Sequence, residues 1–138
     1  MRGEYRHAID AKNRIFLPAK LREALGENLV VSRGTDRCVN VYSEEKWAQF
    51  EEKISTLPSF KARKVKVWMN AFAFDVSVDV QGRIAIPTQL RDYANLEKAI
   101  VSIGVDDHME IYSEEYYDAT IGSMDPLEVE SILIEMGM

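Results

Sequence analysis

The stretch Asp10-Ala-Lys-Asn-Arg14-Ile-Phe-Leu-Pro18 returns later in the same chain as Asp79-Val-Gln-Gly-Arg83-Ile-Ala-Ile-Pro87, 69 residues on. Leu21-Arg22 is answered by Leu90-Arg91 at the same shift. Past one inserted residue the echo continues at a shift of 70, pairing Val31-Ser32 with Val101-Ser102, Gly34 with Gly104, and Tyr42-Ser43-Glu44-Glu45 with Tyr112-Ser113-Glu114-Glu115. The chain is thus a duplication, and any reading of one copy has to hold for the other. Two copies, each unlike a solenoid unit, are too few for an open array, so they are expected to close on each other about a pseudo-two-fold axis as one domain. Repeat one covers about 5–47, a helical connector about 48–74, repeat two about 75–117, and a C-terminal helical segment 118–138.

Within each copy an alternating segment, 5–10 or 76–79, runs through a polar stretch into an apolar run that ends in proline. This pattern predicts a β-hairpin. Its turn holds Asn13 in one copy and Gly82 in the other, the two residue types that best tolerate positive φ. Residues 18–25 and 87–94 read as two-turn helices with proline at the start and Gly26 or Asn95 as the stop. Two further strands follow in each copy, at 29–32 and 39–42 and at 99–103 and 109–112. The repeating unit is strand, strand, short helix, strand, strand.

Between the copies, Ser43 caps a helix with Trp47, Phe50 and Ile54 on its apolar side, and Pro58 ends it. A second helix is expected from near Lys61, with Val65, Trp68, Met69 and Phe72 inward and Lys61, Arg63, Lys64 and Lys66 toward water. That apolar stripe reads as core or subunit interface. Ser113 repeats the cap, and Asp125-Pro126, with Glu128 three positions after the Asp, starts a last helix.

With 46% hydrophobic residues, 138 residues suffice for one core. Cys38 is the only cysteine, and no apolar run has the length of a membrane span or a signal peptide, which predicts a soluble cytoplasmic protein. The net charge of −6 would argue against a nucleic-acid partner, but it hides a division. Residues 1–74 carry 14 Lys and Arg against 9 Asp and Glu, a balance of +5; residues 75–138 carry 3 against 14, a balance of −11. A basic first half can offer an anion-binding surface, or attract the acidic half of a neighbouring subunit.

Asp10 and Arg14, like Asp79 and Arg83, stand on either side of a tight turn, so each carboxylate can meet its guanidinium across the hairpin neck. Alone, such a pair is a structural staple. Carried twice on a symmetric body, with Lys12 beside Arg14, it presents two rigid turns to a symmetric or repeated target.

The paired Asp-x-x-[Gly/Asn]-Arg-x-x-x-Pro segments, the Leu-Arg helices and the Tyr-Ser-Glu-Glu strand ends closely resemble the MraZ family, bacterial transcriptional regulators related to AbrB-like and MazE-like DNA-binding domains. The resemblance runs from about Arg2 to Tyr117. It implies an α+β fold, a swapped-hairpin (double-split) β-barrel made from the two repeats with short peripheral helices. It also implies a homo-oligomeric ring that represses the division and cell-wall gene cluster by binding direct repeats in promoter double-stranded DNA, and hence nucleoid association. The family's DNA-binding signature falls on Asp10, Arg14, Asp79 and Arg83.

The chain departs from the family pattern in carrying Asn13 where glycine is usual, and its second turn has Val80-Gln81 in place of Ala11-Lys12. Arg14 is therefore expected to be the primary DNA contact and Arg83 the secondary one. Lys12, Arg2 and Arg6 are candidate phosphate contacts, while Asp10, Asn13, Asp79 and Gly82 shape the turns. The cluster Lys61, Arg63, Lys64 and Lys66 is a weaker candidate, with neutralisation of Glu44, Glu45, Glu51 and Glu52 as its other role.

A catalytic reading would have Asp10 and Asp79 share a proton, but an arginine four residues after each should keep both ionised. Cys38 and His108 fall at equivalent repeat positions without further ligands, so neither a metal nor any cofactor or small-molecule substrate is expected. The competing class is a MazE-like antitoxin that binds a partner protein and its own operator. A disordered tail after about residue 113 would mark it.

Overall fold

Caps and breaks fall where the side-chain chemistry places them. In the computed structural model, which describes all 138 residues, strand β1 (Arg2–Ala8) leads through the first turn to β2 (Arg14–Phe16), helix α1 (Ala19–Leu25), β3 (Asn28–Arg33) and β4 (Val39–Ser43). The connector is α2 (Glu44–Ile54) and α3 (Ser59–Ala71), the latter starting two residues before Lys61 because Pro58 sits at its N-cap. The second copy follows as β5 (Phe74–Ser77), β6 (Arg83–Ala85), α4 (Thr88–Tyr93), β7 (Ala99–Val105) and β8 (His108–Ser113). The chain ends in α5 (Glu114–Ala119), a 3-10 turn (Ile121–Ser123) and α6 (Pro126–Glu135).

Ser43 and Ser113 each accept the third helical N–H, from Lys46 and Tyr116, at 3.1 and 3.2 Å. Asp125 accepts from the Leu127 N–H at 2.9 Å, although Glu128 does not return the bond that would complete a capping box. Gly26 and Asn95 stop α1 and α4 in the left-handed region, at φ 83° and 51°.

The expected hairpins form only at their necks. Six strands make an antiparallel sheet in the order β1-β7-β8-β4-β3-β5, and β2 pairs with β6 in a two-stranded ribbon. Each first strand thus leaves its own copy to pair with the third strand of the other: β1 with β7, and β5 with β3. The periodicity located these strands but carried no information about their partners, because an alternating segment fits any edge whose face is apolar.

The registers also correct the repeat alignment. Leu29 faces Ser43 as Ile100 faces Ser113, so the third strands correspond at a shift of 71, whereas the fourth strands keep the shift of 70. Val31 therefore matches Ser102, and Gly34 matches Val105 rather than Gly104. The extra residue is given back in the turn, which spans 34–38 in the first copy and only 106–107 in the second. Two cross-copy pairs join true equivalents: Ile15 faces Ile84, and Asn40 faces Glu110. A local two-fold axis runs through both.

Ile15 and Ile84 are buried on that axis with Leu17, Leu21, Ile86 and Leu90 in one apolar cluster. Each such side chain contributes roughly 2–3 kcal/mol of burial. The outer faces of the sheet are covered in matching ways, Val30 and Tyr42 by Trp47 of α2, and Val101 and Tyr112 by Tyr117 of α5. The first copy adds α3, tied down by Arg33. Its guanidinium lies 4.1 Å from both the Trp68 and Phe72 rings and donates from Nε and Nη2 to the Trp68 carbonyl at 3.2 and 2.9 Å. No helix is long and apolar enough to cross a membrane.

Candidate nucleic-acid interface

The two turns beside the axis are built alike. In the first, the Asn13 N–H donates to the Asp10 carbonyl and the Asp10 N–H to the Arg14 carbonyl, both at 3.0 Å. In the second, Gly82 and Asp79 repeat these bonds at 3.0 and 2.9 Å. Asn13 and Gly82 adopt φ of 60° and 81°, the conformation their residue types were expected to supply.

Asp10 Oδ1 accepts the backbone N–H groups of Lys12 and Arg14, while Oδ2 accepts Arg14 Nε, all at 2.9 Å. Asp79 does the same with Gln81 and Arg83, again at 2.9 Å. The Arg14 backbone N–H is the main cause holding the Asp10 carboxyl below its ordinary range. Burial opposes it and the Arg14 side chain reinforces it; Asp79 is lowered in the same way by Arg83. Both aspartates are anions, each with its own arginine, so they do not form a proton-sharing pair.

These clamps occupy Nε and leave the guanidinium ends directed by the protein. No hydrogen bond within the chain uses the terminal nitrogens of Arg14 or Arg83. Arg83 Nη1 lies 3.9 Å from Asp10 Oδ2, so Arg83 faces two carboxylates, whereas Arg14 has one. The turns are locked side by side, since Leu17 N–H donates to the Gly82 carbonyl at 2.9 Å and Ile86 N–H to the Asn13 carbonyl at 3.0 Å. Ile15 and Ile84 point inward, which puts Arg14 and Phe16 of β2 and Arg83 and Ala85 of β6 on the outer face of the ribbon. By strand geometry the two arginine Cα atoms are roughly 8 Å apart.

Arg22 joins this face, a position the sequence reading passed over because Leu21-Arg22 looked like an ordinary helix segment. Its guanidinium lies 5.7 Å from the Phe16 ring centroid and against Gly82, where any Cβ would overlap it. It forms no hydrogen bond or ion pair within the chain. Its repeat equivalent, Arg91, turns back instead, donating to the Ile86 carbonyl at 3.1 Å and to Thr88 Oγ1 at 2.8 Å. The second copy has Ala85 for Phe16, Thr88 for Ala19, and a facing Asn13 for Gly82, so ring, space and competing acceptor all differ. The glycine in the second turn was the readable signal, since a residue without a side chain admits a neighbour.

Lys12 is exposed at the tip of the first turn, next to this arginine group, and Val80 is fully exposed at the second. Arg2 and Arg6 lie elsewhere. Arg2 is at the far end of β1, opposite Val105 and roughly 20 Å from Ala8 by strand rise. Arg6 contacts three carboxylates, Glu4 at 3.0 Å, Asp118 at 2.8 Å and Glu114 at 3.6 Å. Lys61, Arg63 and Lys64 are exposed and Lys66 half-buried on α3. None of the four forms an ion pair with Glu44, Glu45, Glu51 or Glu52.

Cys38 and His108 do occupy matching places at the start of the fourth strands, Cys38 immediately before β4 and His108 as the first residue of β8. Burial pushes the Cys38 thiol up to about 12, and its Sγ donates to Asn40 Oδ1 at 3.4 Å. His108 is stacked on Tyr42, with its two ring nitrogens facing Asp107 at 2.9 Å and Glu110 at 2.7 Å. Each side chain is satisfied by its own neighbours.

Fold and site together define a duplicated α+β protein that carries two carboxylate-clamped arginine turns, side by side, on one face of its local two-fold. Comparison with known proteins specifies the class further. The chain matches the family described as "MraZ protein, putative antitoxin-like" over residues 1–67 and 69–127. It is 45% identical to the Transcriptional regulator MraZ of Caldanaerobacter subterraneus subsp. tengcongensis over 125 residues, 89% of this chain and 87% of the relative. It is 40% identical to that of Acetivibrio thermocellus over 139 residues, 99% of this chain and 96% of the relative. The Lachnoclostridium phytofermentans protein of the same name is 44% identical over 138 residues, again covering 99% and 96%. The chain belongs to the MraZ family.

Proposed function

We propose that the protein is a sequence-specific transcriptional regulator that binds double-stranded DNA through the outer face of the β2–β6 ribbon. The observation that carries this reading is the pair of clamped arginines. Their Nε atoms are fixed by Asp10 and Asp79, their terminal nitrogens form no hydrogen bond within the chain, and they stand beside a local two-fold axis. A guanidinium with both Nη groups free can reach guanine O6 and N7, worth about 1–3 kcal/mol of discrimination per contact. Arg14, with one carboxylate neighbour rather than two, is the stronger reader; Arg83 is second. Arg22 extends the cationic strip and Lys12 takes a phosphate. Val80 offers an apolar contact of the kind a thymine methyl accepts. Arg6, held by three carboxylates, is left out of the contact set, and so is the distant Arg2.

One subunit with so few contacts binds weakly. The family resemblance supplies the remedy, a homo-oligomeric ring whose subunits engage successive direct repeats and so raise affinity through effective concentration. In the same reading the molecule is one pseudo-two-fold domain, the exchanged β1–β7 and β5–β3 pairings are those of a swapped-hairpin barrel, and the target is the promoter of the division and cell-wall gene cluster. An antitoxin-like role draws no support from the region after residue 113, which forms α5, the 3-10 turn and α6. The test is a competition assay with DNA carrying spaced direct repeats against scrambled DNA at two salt concentrations. Preference for the repeats that survives at the higher salt is expected; equal affinity for both sequences would contradict the proposal.

A further inference from the structure

Helix α6 packs on nothing in its own chain. Every residue from Gly122 to Met138 is exposed, including Val129, Ile132, Leu133 and Met136, which recur at the i, i+3, i+4, i+7 spacing of one helical face. A ten-residue helix is marginal in water without a packing partner. The stripe is flanked by Glu128 and Glu135 on one side and Glu130 on the other, and residues 118–138 contain five carboxylates and no basic side chain.

The complementary surface lies on the connector. Leu57, Ala62, Arg63, Lys66 and Val67 line a groove of about 360 Å³ along α3, beside the α2–α3 loop. Phe60 is exposed next to it. Residues 53–74 carry Lys53, Lys61, Arg63, Lys64 and Lys66 with no carboxylate among them, and none of these five forms an ion pair in the chain. Two uncompensated cations, Arg63 and Lys66, thus line the groove beside exposed apolar side chains, and four carboxylates without an ion pair, Asp125, Glu128, Glu130 and Glu135, accompany the α6 stripe.

We infer that α6 of one copy docks, by its stripe of Val129, Ile132, Leu133 and Met136, into the basic α3 groove of a second copy. Pairing α6 with another α6 would bring four carboxylates, Asp125, Glu128, Glu130 and Glu135, against four, which disfavours a symmetric contact. Groove and helix are different surfaces, so the contact is heterologous and propagates from copy to copy, closing a ring when the rotation closes. This deepens the proposed oligomeric regulator by naming its subunit contact, and it rests on that reading only for assembly, not for DNA recognition.

The experiment is a charge exchange on the full chain, read as mass by light scattering after size exclusion and as DNA binding in separate aliquots. One variant carries R63E with K66E, a second E128K with E130K, and a third all four substitutions; circular dichroism confirms that each is folded. Loss of the wild-type assembly in both double variants, with the wild-type mass regained in the fourfold variant, is the expected result. A monomeric wild type, a double variant that keeps its mass, or a folded fourfold variant that stays dissociated would overturn the contact. Because mass and DNA preference are read separately, failure of this contact is distinguishable from failure of the DNA-binding reading.

Discussion

Arg22 and Arg91 show how three substitutions redirect a repeated residue. Phe16 gives Arg22 a ring to stack on, and Gly82 leaves room for its guanidinium, whereas Arg91 meets Ala85, Asn13 and the Thr88 hydroxyl. Filling that space should therefore remove Arg22 from the face while keeping the backbone, because Asn already sits at φ 60° in the first turn. Gly82→Asn and Arg22→Ala are expected to lower specific DNA affinity by a similar factor, roughly tenfold for the loss of one arginine contact. Thermal unfolding of Gly82→Asn should stay close to wild type. The asymmetry was invisible in the motif itself, since Leu-Arg is identical in both copies; it arises from residues elsewhere in the chain.

His108 supplies a pH dependence at the same scale. Burial alone would lower its pKa, but hydrogen bonds to Glu110 and Asp107 outweigh burial and raise it above the ordinary 6.5. A raised folded value means that the stabilisation is fully present below about 6.5 and is lost as pH rises through the folded pKa. Urea unfolding of wild type and His108→Gln should show a wild-type advantage at pH 6 that shrinks toward pH 9. Cys38, with its thiol pushed up to about 12 by burial, should resist alkylation in the folded protein and react readily once unfolded.

At the scale of elements, helix starts were legible because capping is local chemistry. Ser43, Ser113 and Asp125 were readable as caps, and Gly26 and Asn95 as stops, without knowledge of the rest of the fold. Strand partners were not legible. β1 and β5 alternate well enough for hairpins, yet the ladder goes to the other copy, and the one-residue slip between β3 and β7 appears only when the registers of both ladders are compared. Arg33 is another long-range case, a charged residue at a strand end whose partners, Trp68 and Phe72, lie 35 and 39 positions away. Arg33→Ala should cost about 2 kcal/mol for the lost stacking in a half-buried site. Arg33→Lys should recover little of it, because an ammonium cannot lie flat between two rings. Chemical denaturation of the two variants checks both.

Over the whole molecule, the duplication does more than repeat a motif. It places Ile15 against Ile84 and Asn40 against Glu110, so the two turns meet at the axis and their arginines share one face. The charge division read from composition acquires a location as well. The basic excess is concentrated on α3, and the acidic excess ends on the unpartnered α6, far along the chain from the turns. Under the proposed function, assembly and DNA recognition are expected to be separable by mutation, the α6 and α3 charges governing the first and Arg14, Arg83 and Arg22 the second.

The central claim is that the clamped arginines read DNA, and binding of wild type, Arg14→Ala and Arg83→Ala to direct-repeat and scrambled DNA tests it most directly, once each protein has been shown to keep its oligomeric mass. The account predicts that Arg14→Ala abolishes the preference for the repeats, and that Arg83→Ala weakens it by a smaller factor. Full wild-type preference in both folded variants would contradict it and reduce the arginines to staples of their turns.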